Sequence, residues 1–142
     1  METKKATLAD LSLLAKWNKE MIADQGHRNP MNVDELEDRM KNWLENESYI
    51  AHIFYDRSSP VAYSLYREEA NEVFLRQFYV CRDFRRQGIG TRAMEILLKD
   101  IWPNDKRLIV EVLLTNKPAI EFWKAVGYRE HYLGLEILPE ER

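Results

Sequence analysis

Residues 85–90 read Arg-Arg-Gln-Gly-Ile-Gly, with Arg82 just ahead of them. Cationic side chains before closely spaced glycines suit a small anion. Glycine lets a backbone N–H approach it, and the N-terminus of a following helix adds unpaired N–H groups and a favourable dipole. Glu111 interrupts an apolar run over residues 108–114. A carboxylate so flanked is held at a raised pKa by desolvation and can serve as a base; the other reading is a strand glutamate paired with an arginine or solvated at a sheet edge. Cys81 is the only cysteine, so an intrachain disulfide and a cysteine-based zinc cluster are excluded. No histidine partner that would activate it is evident, and Cys81 reads as a small strand residue rather than a nucleophile. His27, His52 and His131 lack metal-ligand spacing, and no metal is expected.

The charge distribution narrows the partners. The chain has 142 residues and a net charge of −3, which argues against nucleic acid, whose phosphates require a basic surface. Residues 17–49 hold eight acids against four bases, a stretch that would suit a cationic amine, although a solvated helix face explains it equally well. Residues 82–92 hold four arginines against Asp83 alone, a compact basic patch. No apolar run exceeds four residues, far short of a membrane span. The first ten residues do not read as a signal peptide, and a cytoplasmic location is expected.

These residues need elements to hold them. The length suits one domain over 1–142 with one buried core. Thr7 with Asp10 resembles a capping box, and Leu11, Leu14, Ala15, Asn18 and Ile22 then recur at helical spacing, predicting a helix over residues 8–24. Asn32 with Glu35 opens a second, whose stripe is Val33, Leu36, Met40, Trp43 and Leu44. Runs at 49–55 and 61–66, joined by a turn at 56–60, predict a hairpin, and a third strand follows over 73–81. A helix after the glycine loop, a strand over 108–114, a helix from Asn116 to Gly127 and a last strand over 129–138 complete the chain. The expected class is α+β: a mixed, mostly antiparallel sheet of six or seven strands flanked by about four helices.

Gly88, Gly90 and Ala93 also satisfy the Gly-x-Gly-x-x-Ala pattern of dinucleotide-binding folds, but such a fold opens with this loop, whereas here two helices and three strands precede it. The arrangement instead resembles the GNAT superfamily of acetyl-CoA-dependent N-acetyltransferases, over nearly the whole chain. The loop at 85–90 matches that family's pyrophosphate loop. Glu111, Val112, Thr115, Asn116, Ala119, Phe122, Gly127 and Tyr128 match the strand, Asn-headed helix and Gly-aromatic ending of its later motif. Residues 5–18 resemble its usual first strand and helix.

The resemblance implies direct transfer of an acetyl group from acetyl-CoA to an amine, with CoA as product. Backbone groups of Phe78, Tyr79 and Val80 would hold the pantetheine arm, and Arg85, Arg86, Gln87, Gly88, Ile89, Gly90 and Thr91 the pyrophosphate. Asn116, Ala119, Phe122 and Trp123 would line the rest of the arm. A lysine-like amine lies about three pKa units, or ~4 kcal/mol, from neutral at pH 7, so a base helps; Glu111 is the candidate, with Gln77 able to position a water. The N–H of Val80 is the candidate oxyanion donor. Trp123 stands where the family usually has a tyrosine acid, so Tyr79, Tyr128, Tyr132 or water would take that role, with Tyr128 as the choice. His27 and Arg28 would touch the acceptor. Such proteins often dimerise through sheet edges, so a homodimer is compatible with the sequence. The alternative is a non-catalytic acyl-CoA-binding sensor that kept the cofactor loop.

Overall fold

A computed structural model describes all residues, Met1–Arg142. Its centre is one sheet of five strands in the order β1-β2-β3-β4-β5: β1 (Glu2–Lys5), β2 (Ile50–Asp56), β3 (Ser59–Glu68), β4 (Glu72–Val80) and β5 (Arg107–Val110). Neighbours are antiparallel except β4 and β5, which run parallel. This crossover passes through a helix, as a parallel connection requires.

The helix signals hold locally. Thr7 and Asp10 form a reciprocal capping box on a short 3-10 turn, Leu8–Asp10, that leads into α1 (Leu11–Gln25), and Gly26 closes α1 in the left-handed region at φ 68°. Asn32 and Glu35 cap α2 (Val33–Glu45) in the same reciprocal way. After the glycine loop comes α3 (Ile89–Ile96), whose last turn widens into a π-helix, Leu97–Ile101. Asn116 caps α4 (Lys117–Val126) by accepting from the N–H of Ala119 at 3.3 Å.

Helices α1 and α2 cover one face of the sheet. Leu14, Trp17, Met21 and Met40 bury there against Ile53, Tyr63, Leu65 and Tyr79. On the other face α3 and α4 bring Ile89, Ala93, Met94, Leu97 and Trp123 against Phe54, Ala62, Val73 and Leu75. Strand β3 runs between both clusters, with residues 61–66 all buried, which is why its sequence is apolar on both faces instead of alternating.

One irregularity in the sheet parts two of its strands. The register of β4 on β3 shifts so that Leu65 faces Gln77 and Tyr66 faces Leu75, leaving Arg76 as an extra residue. Such a bulge reverses side-chain parity along a strand. Val73 and Leu75 therefore point to the α3 side before it, and Tyr79 to the α1 side after it. Pairing with β5 reaches Leu75 and Val110 and goes no further. Beyond the bulge β4 continues alone, and the two strands part.

The sheet is smaller than the sequence suggests. The sheet has five strands, not six or seven. Residues 129–138 form no strand, although Leu133, Leu135 and Ile137 alternate as a strand would; these three are 61%, 88% and 73% exposed. The segment pairs with neither edge strand of the sheet, β1 or β5. Likewise β5 stops at Val110, and residues 111–114 are not strand.

Candidate active site

The gap between β4 and β5 opens into a cleft of about 260 Å³. Phe74, Gln77 and Phe78 line it from β4; Val110, Glu111 and Leu113 from the β5 side; Asn116, Ala119 and Trp123 from α4; and Asn18, Met21, Gln25 and His27 from α1 and the loop after it. Gln77 is 6% exposed, and its Oε1 accepts from the buried Tyr63 hydroxyl at 2.8 Å. That bond fixes the amide of Gln77 toward the cleft instead of leaving it to compete with the backbone.

The wall formed by β4 offers free backbone groups. Cys81 N–H donates to Val61 O at 2.8 Å. Residues bonded to one neighbour alternate with residues facing the other side in an antiparallel ladder, so Phe78 and Val80 face the gap. Val80 O accepts from Arg85 Nε at 3.0 Å, consistent with that direction, and leaves the two N–H groups unclaimed.

At the end of β4, the loop enters α3 with Arg86 at φ 64° and Gly88 at φ 74°. No side chain caps this helix, and its first bond runs from Arg92 N–H to Gly88 O at 3.1 Å. The N–H groups of Gly88, Ile89, Gly90 and Thr91 thus lack intrahelical partners. Gly90 has a different reason to be glycine: a Cβ there would lie 3.2 Å from the Phe122 ring, so its absence lets α3 approach α4. Phe122 stacks on Phe78 at 6.0 Å, and Trp123 meets both rings edge-on.

The basic patch is largely neutralised within the chain. Asp24, at the end of α1, takes Arg82 and Arg85, each at 2.7 Å, and Arg92 pairs with Asp56 at 3.3 Å. Arg85 also lies over the Tyr79 ring at 5.2 Å. Its guanidinium therefore ties the loop to α1, and Arg86 is the loop arginine without a carboxylate partner. Hydrogen bonds from Arg82, opposed by partial burial and reinforced by Arg85, hold the Asp24 carboxyl below its ordinary 3.8. A group lowered on folding stabilises the fold above its unfolded pKa and loses that contribution as pH falls through the folded value. In urea titrations the wild-type advantage over Asp24→Asn should be constant above about pH 5 and vanish well below 3.8; an advantage that persists there would assign the effect to packing.

The acids of α1 do not face the cleft. Glu20 accepts from the Tyr79 hydroxyl at 2.8 Å, and Asp24 holds its two arginines, so neither is free to attract a cationic acceptor as the sequence suggested. Arg28 is also outside the lining; its Nη2 donates to both carboxylate oxygens of Glu136, at 2.9 and 3.0 Å. His27 does line the cleft, with Nε2 2.9 Å from Gln25 Oε1.

Of the two sequence readings of Glu111, a desolvated strand carboxylate and a solvated one, its surroundings match the second. It lies one residue past β5, exposed at the cleft, and its Oε2 accepts from the Tyr132 hydroxyl at 2.8 Å. That bond raises the Tyr132 hydroxyl. Tyr128 packs edge-on to Trp123 at 5.5 Å outside the cleft lining, its hydroxyl buried without a partner and pushed up to about 12 by burial. Tyr79 is turned to the α1 face, and burial with its bond to Glu20 raises its hydroxyl. Of the three tyrosines, Tyr132 alone touches a cleft carboxylate. Cys81 packs on the α1 face as well, away from the cleft.

Comparison with known proteins agrees with this architecture. A possible acetyltransferase from Clostridium difficile 630 superposes with a TM-score of 0.77 at 20% identity, covering 96% of this chain and 95% of its own. A predicted acetyltransferase from Clostridium acetobutylicum, solved with acetyl-CoA, gives 0.73 at 18%, covering 99% and 97%. An aminoglycoside acetyltransferase from an uncultured soil metagenomic sample, in complex with sisomicin, gives 0.74 at 12%, covering 96% and 95%. At these identities the likeness is one of fold. No curated protein matches the chain. The family model of the GNAT acetyltransferases, in contrast, matches residues 14–128, a span that contains the parted strands, the glycine loop and the Asn-capped helix, and the chain belongs to the GNAT acetyltransferase family.

Proposed function

We propose that the chain is an acetyl-CoA-dependent N-acetyltransferase that moves the acetyl group directly onto an amine held in the cleft between β4 and β5. The observation that carries the reading is the lone stretch of β4 past the bulge, with the Phe78 and Val80 N–H groups unclaimed, leading to an uncapped helix N-terminus. The amide-bearing pantetheine arm has the chemistry to complete such a strand edge, and a pyrophosphate the charge to meet the helix end. The residues therefore fit this group. Acetyl-CoA, when bound, supplies an acyl group already activated as a thioester.

The chain's own groups do the rest. Backbone N–H groups of Gln87, Gly88, Ile89, Gly90 and Thr91, with the Arg86 side chain, hold phosphate oxygens; Arg85 positions the loop through Asp24. Asn116, Ala119, Phe122 and Trp123 form the opposite wall of the arm's channel. The N–H of Val80 or Phe78 donates to the carbonyl oxygen that gains charge, a type of contact whose loss costs about 3 kcal/mol in other enzymes. Glu111 takes the proton of the amine. Tyr132, bonded to it, gives its proton to the departing CoA thiolate in place of Tyr128 and takes one back from Glu111.

Thermal-shift titrations with acetyl-CoA, CoA and NAD in parallel test the reading. Saturation a thousandfold above Kd adds about 4 kcal/mol, a rise on the order of 10 °C. A shift with both CoA species and none with NAD, followed by thiol release in the presence of an amine, is the expected result. Binding without release to any amine would leave a sensor module instead.

A further inference from the structure

The end of the cleft nearest α2 carries two arginines that the chain does not neutralise. Arg39 reaches it from α2 and Arg76 from the bulge of β4. Both guanidinium groups lie over the ring of Trp43, with Cζ at 4.6 and 4.8 Å from its centroid. Six of the twelve arginines have a carboxylate within ion-pair distance, and of the six that have none only Arg39 and Arg76 line the cleft. Their hydrogen bonds go to neutral groups: Arg76 to the Tyr49 hydroxyl at 3.3 Å, and Arg39 to Asn18 Oδ1 at 3.3 Å.

Asn18 supplies a second, independent sign. It is 1% exposed and lines the cleft, yet its Nδ2 has no partner; nor has the buried Nε of Arg39. A buried donor left unpaired costs about 1–3 kcal/mol, and two cations sharing one ring add repulsion. Burial, then the neighbouring Arg76, lowers the Arg39 pKa. A single anion would answer all of these at once, accepting from both guanidiniums and the amide, and arginine's planar fork is suited to a carboxylate. The one carboxylate lining the cleft, Glu111, comes from the β5 side and is bonded to Tyr132.

We infer that Arg39, Arg76 and Asn18 form a subsite for a carboxylate borne by the acceptor, so that this enzyme acetylates small amines carrying an acidic group, such as free amino acids, and not polycationic amines. Arg76 is two residues from Phe78, about 7 Å along a strand, which keeps the carboxylate near the transfer end of the cleft. The inference rests on the acetyltransferase reading above and deepens it.

The test measures thiol release from acetyl-CoA with each free L-amino acid, with its carboxamide, and with spermidine and sisomicin. For the best amino acid, kcat/KM is expected to exceed that of its carboxamide by about 30-fold, the worth of a charge-assisted pair. Arg76→Gln, at an exposed position, should raise KM for the acid about 10-fold or more, leave kcat within about threefold, and leave the carboxamide unaffected; Arg76→Lys should recover part of the loss. A merely structural role would lower acid and carboxamide alike. The inference is overturned if carboxamide or polycation reacts as well as the acid, if Arg76→Gln leaves their ratio unchanged, or if no amino acid reacts while acetyl-CoA still stabilises the protein. Failure of acetyl-CoA to stabilise the protein at all would instead remove the reading beneath it.

Discussion

A chain lacking Arg76 is expected to stay folded, within about 2 kcal/mol of the wild type, and to lose all transfer activity. The residue matters as the bulge. Without it, Leu65 opposite Gln77 and Tyr66 opposite Leu75 become consecutive pairs of an unbroken ladder, so Gln77 and Tyr79 keep the α1 face and Phe78 and Val80 the other. Tyr79 would keep its place beside Trp17 and Tyr63, at 6.2 and 6.3 Å, and its bond to Glu20. Gln77 would keep its bond to the Tyr63 hydroxyl. What goes is the local bend that parts β4 from β5, and with it the cleft. Arg76→Gly keeps the extra residue and removes only the side chain with its contacts to Trp43 and Tyr49. That variant should lose about 1 kcal/mol. Thermal-shift titration with acetyl-CoA separates the two: Arg76→Gly should bind and the deletion chain should not. A deletion chain that still binds acetyl-CoA would mean that the bulge does not set the parting of the strands.

That bulge marks the boundary of what the sequence makes legible. Local devices can be read because they consist of neighbours in sequence: Thr7 with Asp10, Asn32 with Glu35, Asn116 at the head of α4 and Gly127 after it all act as their spacing suggests. The glycine loop is legible for the same reason. The run around Arg76 contains neither Gly nor Pro to announce an extra residue, and the bulge is visible only against β3. Asp24 meets Arg82 and Arg85 across some sixty residues, so a basic patch on paper is a set of ion pairs in space. Arg39 and Arg76 converge from a helix and a strand, and their lack of partners is a property of the fold alone. The tail over 129–138 misleads in the opposite direction, since its alternation is real but it pairs with no strand.

The glycine loop carries the second large effect. Gly88 sits at φ 74°, ψ 10°, and a Cβ there would meet nothing within 4 Å. The cost of a side chain is therefore torsional, about 1–2 kcal/mol for an L-residue and at the upper end for a β-branched one. In Gly88→Val the chain can escape that cost by leaving the left-handed region, which turns the N–H groups of Ile89, Gly90 and Thr91 away from one another. Residues 86–88 are exposed and have room for this movement, while Arg85 on Asp24 and the buried Ile89 hold the two ends of the loop. Stability should then fall by no more than about 2 kcal/mol. Affinity for acetyl-CoA should fall about 100-fold, since several charge-assisted bonds lose their shared geometry. Asparagine tolerates the left-handed region, so Gly88→Asn should bind within about fivefold of wild type and is the control for conformation against bulk. Calorimetric titration with acetyl-CoA reads both variants. Wild-type affinity in Gly88→Val would detach the loop from the phosphates. Equal loss in both variants would place the effect in side-chain bulk against the ligand and not in the direction of the backbone N–H groups.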